Sequence, residues 1–183
     1  HEASRLIKLI QDIINLSKLD EKKGVIEKEV VDLFRLTKEI VVRLTPLAEK
    51  KDVEIELTGE KVEYLGVSPL LDEMIYNICE NAVKYNRRHG TVTIWVGETQ
   101  GKKKIIIQDT GIGIPESDHE RIFERFYRTD QSRDRESGGS GLGLAITKAL
   151  VDAHDGWIKV ASRLHEGTTF TVMLPHWNGM DAK

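Results

Sequence analysis

Residues 77–85 have the sequence Asn77-Ile78-Cys79-Glu80-Asn81-Ala82-Val83-Lys84-Tyr85 and lie in a segment whose apolar residues have helical spacing. Asn77 and Asn81 are four residues apart and Glu73 precedes them by the same interval, so the three side chains share one helix face. Because asparagine disfavours helix interiors by up to about 0.7 kcal/mol relative to alanine, this stripe predicts a face that contacts a ligand; a solvated face is the alternative. Lys84 and Tyr85 extend the stripe with a cation and a ring suited to phosphates and a base.

A second candidate segment is the turn Asp109-Thr110-Gly111-Ile112-Gly113-Ile114-Pro115, which directly follows an apolar run. A carboxylate at the end of a strand can accept a hydrogen bond from an exocyclic amine. Gly111 and Gly113 let the backbone approach a flat ring. The pattern therefore indicates a ligand site, and an ordinary turn at the end of a strand is the alternative.

A third segment is rich in glycine: Gly138-Gly139-Ser140-Gly141-Leu142-Gly143-Leu144, at the start of a predicted helix. Free N–H groups and partial positive charge at a helix N-terminus favour phosphate, and glycines let it come close. The segment is not a P-loop, because the Gly-Lys-Ser/Thr ending is missing, and a flexible linker is the alternative. The preceding loop contains Arg125 and Arg128, which can reach a triphosphate if the loop folds over it, although a surface position is the alternative for any single arginine.

The order of the predicted elements favours an α+β sandwich over a parallel βαβ fold. Apolar periodicity predicts strands at 25–33, 53–57, 62–65, 91–97, 103–108, 157–161 and 168–174, and helices at 33–50, 68–88 and 142–154, with a short helix after Pro115. We expect Thr58-Gly59-Glu60 to close a hairpin and Ser68 to cap the second of these helices. Residues 1–21 have the spacing of an amphipathic bundle helix and 22–24 form a linker, so we predict a domain at 25–175 and a tail at 176–183.

Composition excludes several classes of function. The 183 residues carry a formal net charge of -3, which provides no footprint for nucleic acid or for an anionic membrane surface. No apolar run approaches the roughly 20 residues of a membrane span, so no membrane contact by this segment is expected. Cys79 is the only cysteine, and we expect it to be a small buried side chain in a reducing compartment.

In order and spacing, these segments resemble the sequence boxes of the sensor histidine kinases of two-component systems. The resemblance involves the N box (77–85), the G1 box (109–115), the F box (122–128), the G2 box (139–144) and the closing strand motif (166–175). It implies a Bergerat-type ATP-binding fold, a two-layer α/β sandwich with a mixed sheet covered by helices. Residues 1–21 resemble the second helix of the dimerisation and phosphoacceptor hairpin.

The resemblance also implies roles for single residues toward ATP and Mg²⁺. Asn81 coordinates Mg²⁺, Asp109 takes the adenine amine with Thr168 in support, and Tyr85 lies against adenine. The nucleotide-binding set that it implies is Asn77, Asn81, Lys84, Tyr85, Asp109, Gly111, Gly113, Ile114, Arg125, Arg128, Gly139, Ser140, Gly141, Leu142, Gly143, Leu144 and Thr168.

Two further residues on this helix are catalytic candidates beside Asn81. Asn77 stands where related ATPases such as gyrase, the Hsp90 chaperone and the MutL repair protein carry an acid that activates water. An amide is not a general base at neutral pH, so slow hydrolysis and transfer to a protein nucleophile are expected. Glu73 lies one turn earlier and either supports the metal site or has no role.

The partners that the resemblance implies are a phosphoacceptor histidine segment of the same or a paired chain and the receiver domain of a response regulator. It implies a homodimer in the full-length protein and a cytosolic position within a membrane-anchored bacterial sensor. His1 lacks the basic residue and the Thr/Asn-Pro that follow an acceptor histidine, and we expect His89, His119, His154, His165 and His176 to be solvated. The fragment is therefore predicted not to phosphorylate itself.

Two alternatives remain at the level of sequence. One is a protein serine kinase with the same ATP pocket, similar to bacterial anti-sigma factors and mitochondrial dehydrogenase kinases. The other is a nucleotide-sensing interaction module without transfer activity. The predicted helix at 1–21 favours the histidine kinase, because it has the pattern of half a dimerisation hairpin.

Overall fold

The computed structural model describes residues 28–129 and 140–176. The predicted helix at 1–21, the linker at 22–24 and most of the predicted tail lie outside the described residues. The described elements are, in chain order, β1 (Glu29–Asp32), α1 (Leu33–Lys51), β2 (Val53–Gly59), β3 (Glu63–Gly66), α2 (Ser68–Lys84), β4 (Gly90–Thr99), β5 (Lys102–Asp109), two 3-10 turns (Glu116–Asp118 and Arg121–Phe123), α3 (Gly143–Ala153), β6 (Trp157–Arg163) and β7 (Gly167–Leu174).

These elements form two sheets. The larger sheet has the strand order β2-β4-β5-β7-β6, in which β2 pairs parallel with β4 and the other neighbours pair antiparallel. The smaller sheet is an antiparallel pair of β1 and β3. The predicted α+β fold with a mixed sheet covered by helices is therefore confirmed.

The hairpin predicted at Thr58-Gly59-Glu60 is wrong, because β2 and β3 belong to different sheets. β2 stays paired with β4 to its last residue, where Gly59 lies opposite Val96. A Cβ on Gly59 would lie only 1.9 Å from the Val96 carbonyl oxygen, and the Glu60 N–H donates to that oxygen at 2.9 Å. The turn residues thus mark where the chain leaves the sheet, and they carry no information about the partner of the next strand.

Helix α1 forms as the sequence predicts. Asp32 caps its N-terminus, since its Oδ1 accepts hydrogen bonds from the N–H groups of Phe34 (3.0 Å) and Arg35 (3.1 Å). Asp52 ends the helix in a left-handed conformation with φ 58°. Pro46 lies inside the helix and has no N–H to donate to the carbonyl of Val42. It is tolerated because Pro46 and Val42 are both on the exposed side.

Helix α2 differs from its prediction at both ends. Ser68 is the first helical residue and not the cap, because Val67 occupies the cap position without a side-chain hydrogen bond. The helix ends at Lys84, four residues before the predicted Arg88. Asn86 ends it, since its side chain donates to the carbonyl oxygen of residue 91 at 3.0 Å and accepts from the N–H of residue 87 at 2.9 Å.

The core lies between the larger sheet and the three described helices. Met74, Ile75, Ile78 and Cys79 of α2 are at most 1% exposed and pack against strand residues such as Ile107. Truncating one of the large aliphatic side chains to alanine would cost roughly 2–5 kcal/mol. The prediction that Cys79 is buried is confirmed, and burial raises the pKa of its thiol to about 12.

The prediction that His154 is a solvated surface residue is wrong. Its side chain lies at the end of α3 and is only 4% exposed. Nδ1 donates to the Leu150 carbonyl at 2.8 Å, and Nε2 accepts from the Val67 N–H at 3.4 Å. A neutral ring with its proton on Nδ1 satisfies both bonds, whereas a proton on Nε2 would point at another donor. The ring therefore joins α3 to the start of α2.

The buried ring predicts a loss of stability in mild acid. Burial lowers the pKa of His154 below its ordinary 6.5, and the hydrogen bond to Leu150 only partly offsets this. The unfolded chain therefore takes up a proton near pH 6.5 that the folded chain does not, so the free energy of unfolding falls as the pH drops from 6.5 toward the lower folded pKa. Urea unfolding between pH 7.5 and 5.5 should show a smaller decline in His154→Gln than in the wild type. The exposed His89→Gln is the control, and an equal decline in the wild type and in His154→Gln would contradict the prediction.

Candidate functional site

The polar stripe of α2 faces other elements of the protein. Asn77 and Asn81 are half-buried, while Met74, Ile78 and Ala82 on the opposite side are in the core. The Asn77 Nδ2 group donates to the carbonyl of Gly143 at 3.4 Å, where α3 begins. The amide stripe and the glycine-rich segment, which are far apart in sequence, are thus neighbours in the fold.

Asp109 ends β5 and is 9% exposed. Its Oδ1 accepts hydrogen bonds from the Gly111 N–H at 2.8 Å and from the Thr168 N–H at 3.3 Å. Its Oδ2 has no hydrogen-bond partner among residues 28–129 and 140–176. One oxygen is therefore held by the protein, and the other is available to a donor on a ligand.

Burial raises the pKa of Asp109 from 3.8 to about 6, although the hydrogen bonds from Gly111 and Thr168 oppose this rise. The carboxyl is therefore mainly ionised at neutral pH. The folded protein carries a partly desolvated charge at this position, which costs stability, and such costs concentrate at functional sites.

The turn after Asp109 is seated against the end of α2. The Ile112 N–H donates to the Tyr85 carbonyl at 3.1 Å. A Cβ on Gly111 would lie 2.5 Å from the same Tyr85 oxygen and 2.7 Å from Asp109 Oδ1. Gly113 has φ +72°, and a Cβ there would lie 2.0 Å from the Arg163 carbonyl oxygen. Both glycines are therefore required by close approach to the protein's own atoms, and their approach to a ligand ring stays a prediction.

Arg87 holds the same turn from outside and was not predicted as a site residue. Its Nη2 donates to the Gly111 carbonyl at 3.1 Å and also to the His165 carbonyl. The His165 N–H donates in turn to the Ile112 carbonyl at 2.7 Å. The guanidinium thus links the acidic turn to the loop between β6 and β7.

Ser162 is a second residue that sequence reasoning missed. Its hydroxyl accepts from the Ile114 N–H at 2.8 Å, donates to the Gly167 carbonyl at 2.8 Å and lies 2.9 Å from Thr168 Oγ1. A serine in an alternating strand has no motif of its own. The signal that could have found it is the register of the β6–β7 hairpin, which puts Ser162 opposite Thr168.

The glycine-rich segment meets the aromatic segment before it. The Phe126 N–H donates to the Gly141 carbonyl at 2.9 Å, and a Cβ on Gly141, whose φ is +73°, would lie 2.8 Å from the Phe126 carbonyl carbon. Ser140 Oγ accepts from the Leu142 N–H at 3.2 Å. Leu142 is buried and Leu144 packs against the core, so these two side chains anchor the segment. Gly139 lies outside the described residues.

The basic candidates lie around Tyr85. The Lys84 Nζ atom is 5.4 Å from the centroid of the Tyr85 ring. Burial raises the pKa of Tyr85, and the positive charge of Arg128 partly offsets that rise. Arg125 is exposed, and Glu73 is half-buried on α2.

Contacts therefore join all the predicted segments: α2 touches both the acidic turn and the start of α3, β7 supports Asp109, and Phe123 packs edge-on against Phe170 of β7 with ring centroids 6.4 Å apart. A buried carboxylate with a free oxygen, an amide stripe and a glycine-rich helix start on an α+β sandwich define a nucleotide-binding domain.

Comparison with known proteins identifies the family. Residues 66–178 match the model of the histidine kinase-, DNA gyrase B- and HSP90-like ATPases, and the chain belongs to this family. It is 37% identical over 188 residues to the sensor histidine kinase WalK of Bacillus subtilis, covering 96% of this chain and 29% of that protein. The predicted class, an ATP-binding catalytic domain of the sensor histidine kinases, is confirmed.

Solved structures agree with this assignment. The mycobacterial sensor histidine kinase MprB superposes with a TM-score of 0.71 at 30% identity, over 81% of this chain and 97% of that one. Full-length ShkA, solved in complex with AMPPNP, superposes with a TM-score of 0.82 at 27% identity, over 95% of this chain and 36% of that one. The chain thus spans about a third or less of the length of WalK and of ShkA.

The buried carboxylate predicts that Asp109→Asn is more stable than the wild type at pH 7.5. The pKa shift from 3.8 to about 6 corresponds to a cost of roughly 1–3 kcal/mol for the ionised form, which the amide does not incur. Because the folded pKa is raised, the cost is present above pH 6 and disappears as the pH falls from 6 to 3.8. Urea unfolding at pH 7.5 and pH 5 measures the difference, with the exposed Glu56→Gln as control. A variant less stable than the wild type at pH 7.5 would contradict this account.

Proposed function

We propose that this domain binds ATP with Mg²⁺ and transfers the γ-phosphoryl group to a histidine on a phosphoacceptor segment. The observation that carries the proposal is the free Oδ2 of Asp109 beside a turn that is hydrogen-bonded to the end of the helix that carries Asn77 and Asn81. The complex of ShkA with AMPPNP supports nucleotide binding in this fold.

On the base side, Asp109 accepts a hydrogen bond from the adenine amine. Thr168 supports this contact, because its N–H holds Asp109 Oδ1 and leaves Oδ2 to the ligand. Tyr85 lies against the base. The backbone of Gly111, Gly113 and Ile114 lines the base, in a turn that its contacts with Tyr85, Arg163 and Ser162 hold in place.

On the phosphate side, the N-terminus of α3 supplies free N–H groups. Among residues 28–129 and 140–176, no side-chain hydrogen bond caps this helix, and its first N–H groups are proposed to donate to phosphate oxygens. Gly139, Ser140, Gly141 and Gly143 form the cradle, with Leu142 and Leu144 as its anchors. Lys84 and Arg128 contact phosphate, and Arg125 reaches it when the preceding loop folds over the nucleotide.

Mg²⁺ fits this donor set only with the help of the nucleotide. The described residues hold no cluster of three His, Cys, Asp or Glu side chains that could bind a metal ion by itself. The Asn81 amide oxygen is a hard ligand, and Mg²⁺ accepts one or two protein oxygens together with phosphates and water. Mg²⁺ held there would neutralise phosphate charge. Asn77 lies one turn from Asn81 on the same helix face, and Glu73, two turns from Asn81, would either support the metal site or have no role.

Transfer needs a nucleophile from elsewhere. Phosphoryl transfer is mainly positioning and charge neutralisation, so one domain can hold ATP while another segment supplies an imidazole. Because Asn77 is not a general base, water is activated poorly and the γ-phosphoryl group is kept for that imidazole. We infer as partners a phosphoacceptor segment of the same or a paired chain, a receiver domain, and a second copy in the full-length protein.

The position in the cell is part of the proposal. The relatives are sensor kinases, and a cytosolic location within a membrane-anchored sensor fits an ATP-dependent domain with one buried thiol. In the part of the chain that the structure describes, no helix is long and apolar enough to span a membrane. The serine kinase and the sensing module are not favoured, because the named relatives are histidine kinases.

Asp109→Asn is expected to abolish nucleotide binding without unfolding the domain. The oxygen of the new side-chain amide still accepts from the N–H groups of Gly111 and Thr168. Its NH₂ group takes the place of Oδ2, however, so that one donor faces another donor, the adenine amine. We expect affinity for Mg·AMPPNP to fall by at least about 100-fold in calorimetric titration. Glu56→Gln is the control, and unchanged affinity in the folded Asp109→Asn protein would overturn the assignment of the adenine site.

The chain is expected to bind ATP·Mg²⁺ without phosphorylating itself. Incubation with γ-labelled ATP should give no acid-labile, base-stable label, because its histidines lack the sequence context of an acceptor and the ring of His154 is buried. A longer chain that adds an upstream histidine followed within a few residues by proline should become labelled, and Asn81→Ala in that chain should abolish the label. Such label on the fragment alone would refute this expectation.

A further inference from the structure

We infer that Ser162 is a positioning residue that fixes the hydroxyl proton of Thr168, so that Thr168 Oγ1 and Asp109 Oδ2 present only acceptors at the proposed base site, which selects 6-amino over 6-oxo purines. The inference rests on the proposed adenine site at Asp109. It assigns to Ser162 a role in specificity that acts through Thr168.

The residues concerned form one row across three strands. Asp109 of β5 lies opposite Thr168 of β7, and Thr168 lies opposite Ser162 of β6. The Thr168 N–H donates to Asp109 Oδ1 at 3.3 Å, and the Thr168 and Ser162 hydroxyl oxygens are 2.9 Å apart. Thr168 is 6% exposed, so its hydroxyl orientation is set by protein partners and not by bulk water.

The proton positions follow from counting donors and acceptors. A serine hydroxyl has one proton and two lone pairs. The Gly167 carbonyl at 2.8 Å can only accept, so it takes the proton of Ser162. The Ile114 N–H at 2.8 Å can only donate, so it takes one lone pair. The remaining lone pair faces Thr168 Oγ1, and the Thr168 proton must point to Ser162.

Thr168 Oγ1 is therefore left with lone pairs only, and its side chain shares the sheet face of its register partner Asp109. Asp109 Oδ2 is likewise an acceptor at pH values above its pKa of about 6. Two acceptors suit the 6-amino group of adenine, which has two donor hydrogens. A 6-oxo group would place a third acceptor among them, and a buried acceptor without a donor is costly.

Without Ser162, the Thr168 hydroxyl is free to rotate and to donate into the pocket. The 6-oxo group of a purine can then accept a hydrogen bond from the Thr168 hydroxyl, which in the wild type donates to Ser162. A purely structural role for Ser162, in which it only holds Ile114 and the β6–β7 turn, would instead weaken all purine nucleotides alike. The ratio of two affinities separates these roles, whereas a single affinity does not.

The test compares Mg·ATP with Mg·ITP, whose base has a 6-oxo group and an N1–H in place of the 6-amino group and bare N1 of adenine, and carries no 2-amino group. Dissociation constants are measured by calorimetry at pH 7.5 for wild type, Ser162→Ala and Thr169→Ala. Thr169 neighbours Thr168 on β7 and points to the other face of the sheet, so it is the matched control. We expect the ratio Kd(ITP)/Kd(ATP) to fall about tenfold in Ser162→Ala and to stay unchanged in Thr169→Ala.

A second pair of variants keeps the test decisive if Ser162→Ala does not fold. Thr168→Ser retains a hydroxyl that Ser162 can orient and should keep the ratio, whereas Thr168→Val removes the acceptor and should lower it. In the double variant Ser162→Ala, Thr168→Val, the ratio should fall no further than in Thr168→Val alone.

Three results would overturn the inference while leaving the proposed function intact: equal affinity of the wild type for the two nucleotides, equal weakening of both in Ser162→Ala, or full selectivity in Thr168→Val. A wild type that binds neither nucleotide would instead refute the proposed function itself, and the inference with it.

Discussion

The arrangement of this domain depends on burying one carboxylate at the end of a central strand. A desolvated carboxylate survives only where the protein donates hydrogen bonds to it. The pairing of β5 with β7 brings the Thr168 N–H to Asp109, and the turn brings back the Gly111 N–H. Gly111 is required there, since a Cβ would lie 2.7 Å from Asp109 Oδ1. The strand order and the glycine thus both stabilise the Asp109 carboxylate, whose Oδ2 remains available to a donor on a ligand.

The same turn fixes the helix that carries the amide stripe. The Ile112 N–H donates to the carbonyl of Tyr85, the residue that follows α2, and Arg87 joins Gly111 to the β6–β7 loop. The side chains at Asn77 and Asn81 are therefore held at a set distance from Asp109 by backbone contacts. A nucleotide that bridges the two ends meets a site organised before it binds, which lowers the entropic cost of ordering it.

The sequence predicted most elements, because long amphipathic helices and alternating strands carry their own periodicity. It failed where the answer depended on a distant partner. The turn at Thr58-Gly59-Glu60 is locally correct but does not reveal that β2 pairs with β4. The sequence predicts His154 in solvent, since nothing nearby in the sequence indicates that the Val67 N–H donates to its Nε2 atom. Ser162 was identified as a neighbour of the site only from the strand register, which places it opposite Thr168. The motifs predicted which segments form the candidate site, and strand pairing determined which of its side chains are neighbours.

The two ends of the site differ in how firmly they are built. Around Asp109, the turn N–H groups of Gly111 and Ile114 donate at 2.8 Å to Asp109 and Ser162, two side chains that strands of the larger sheet hold in place. Toward α3, the contact from Asn77 to Gly143 is 3.4 Å long, the helix start has no side-chain cap, and Gly141 sits at a positive φ against Phe126. This difference suits the proposed transfer of a phosphoryl group to an outside nucleophile. Under that proposal, the base is held in one position, while the segment around the γ-phosphate adjusts to admit an imidazole.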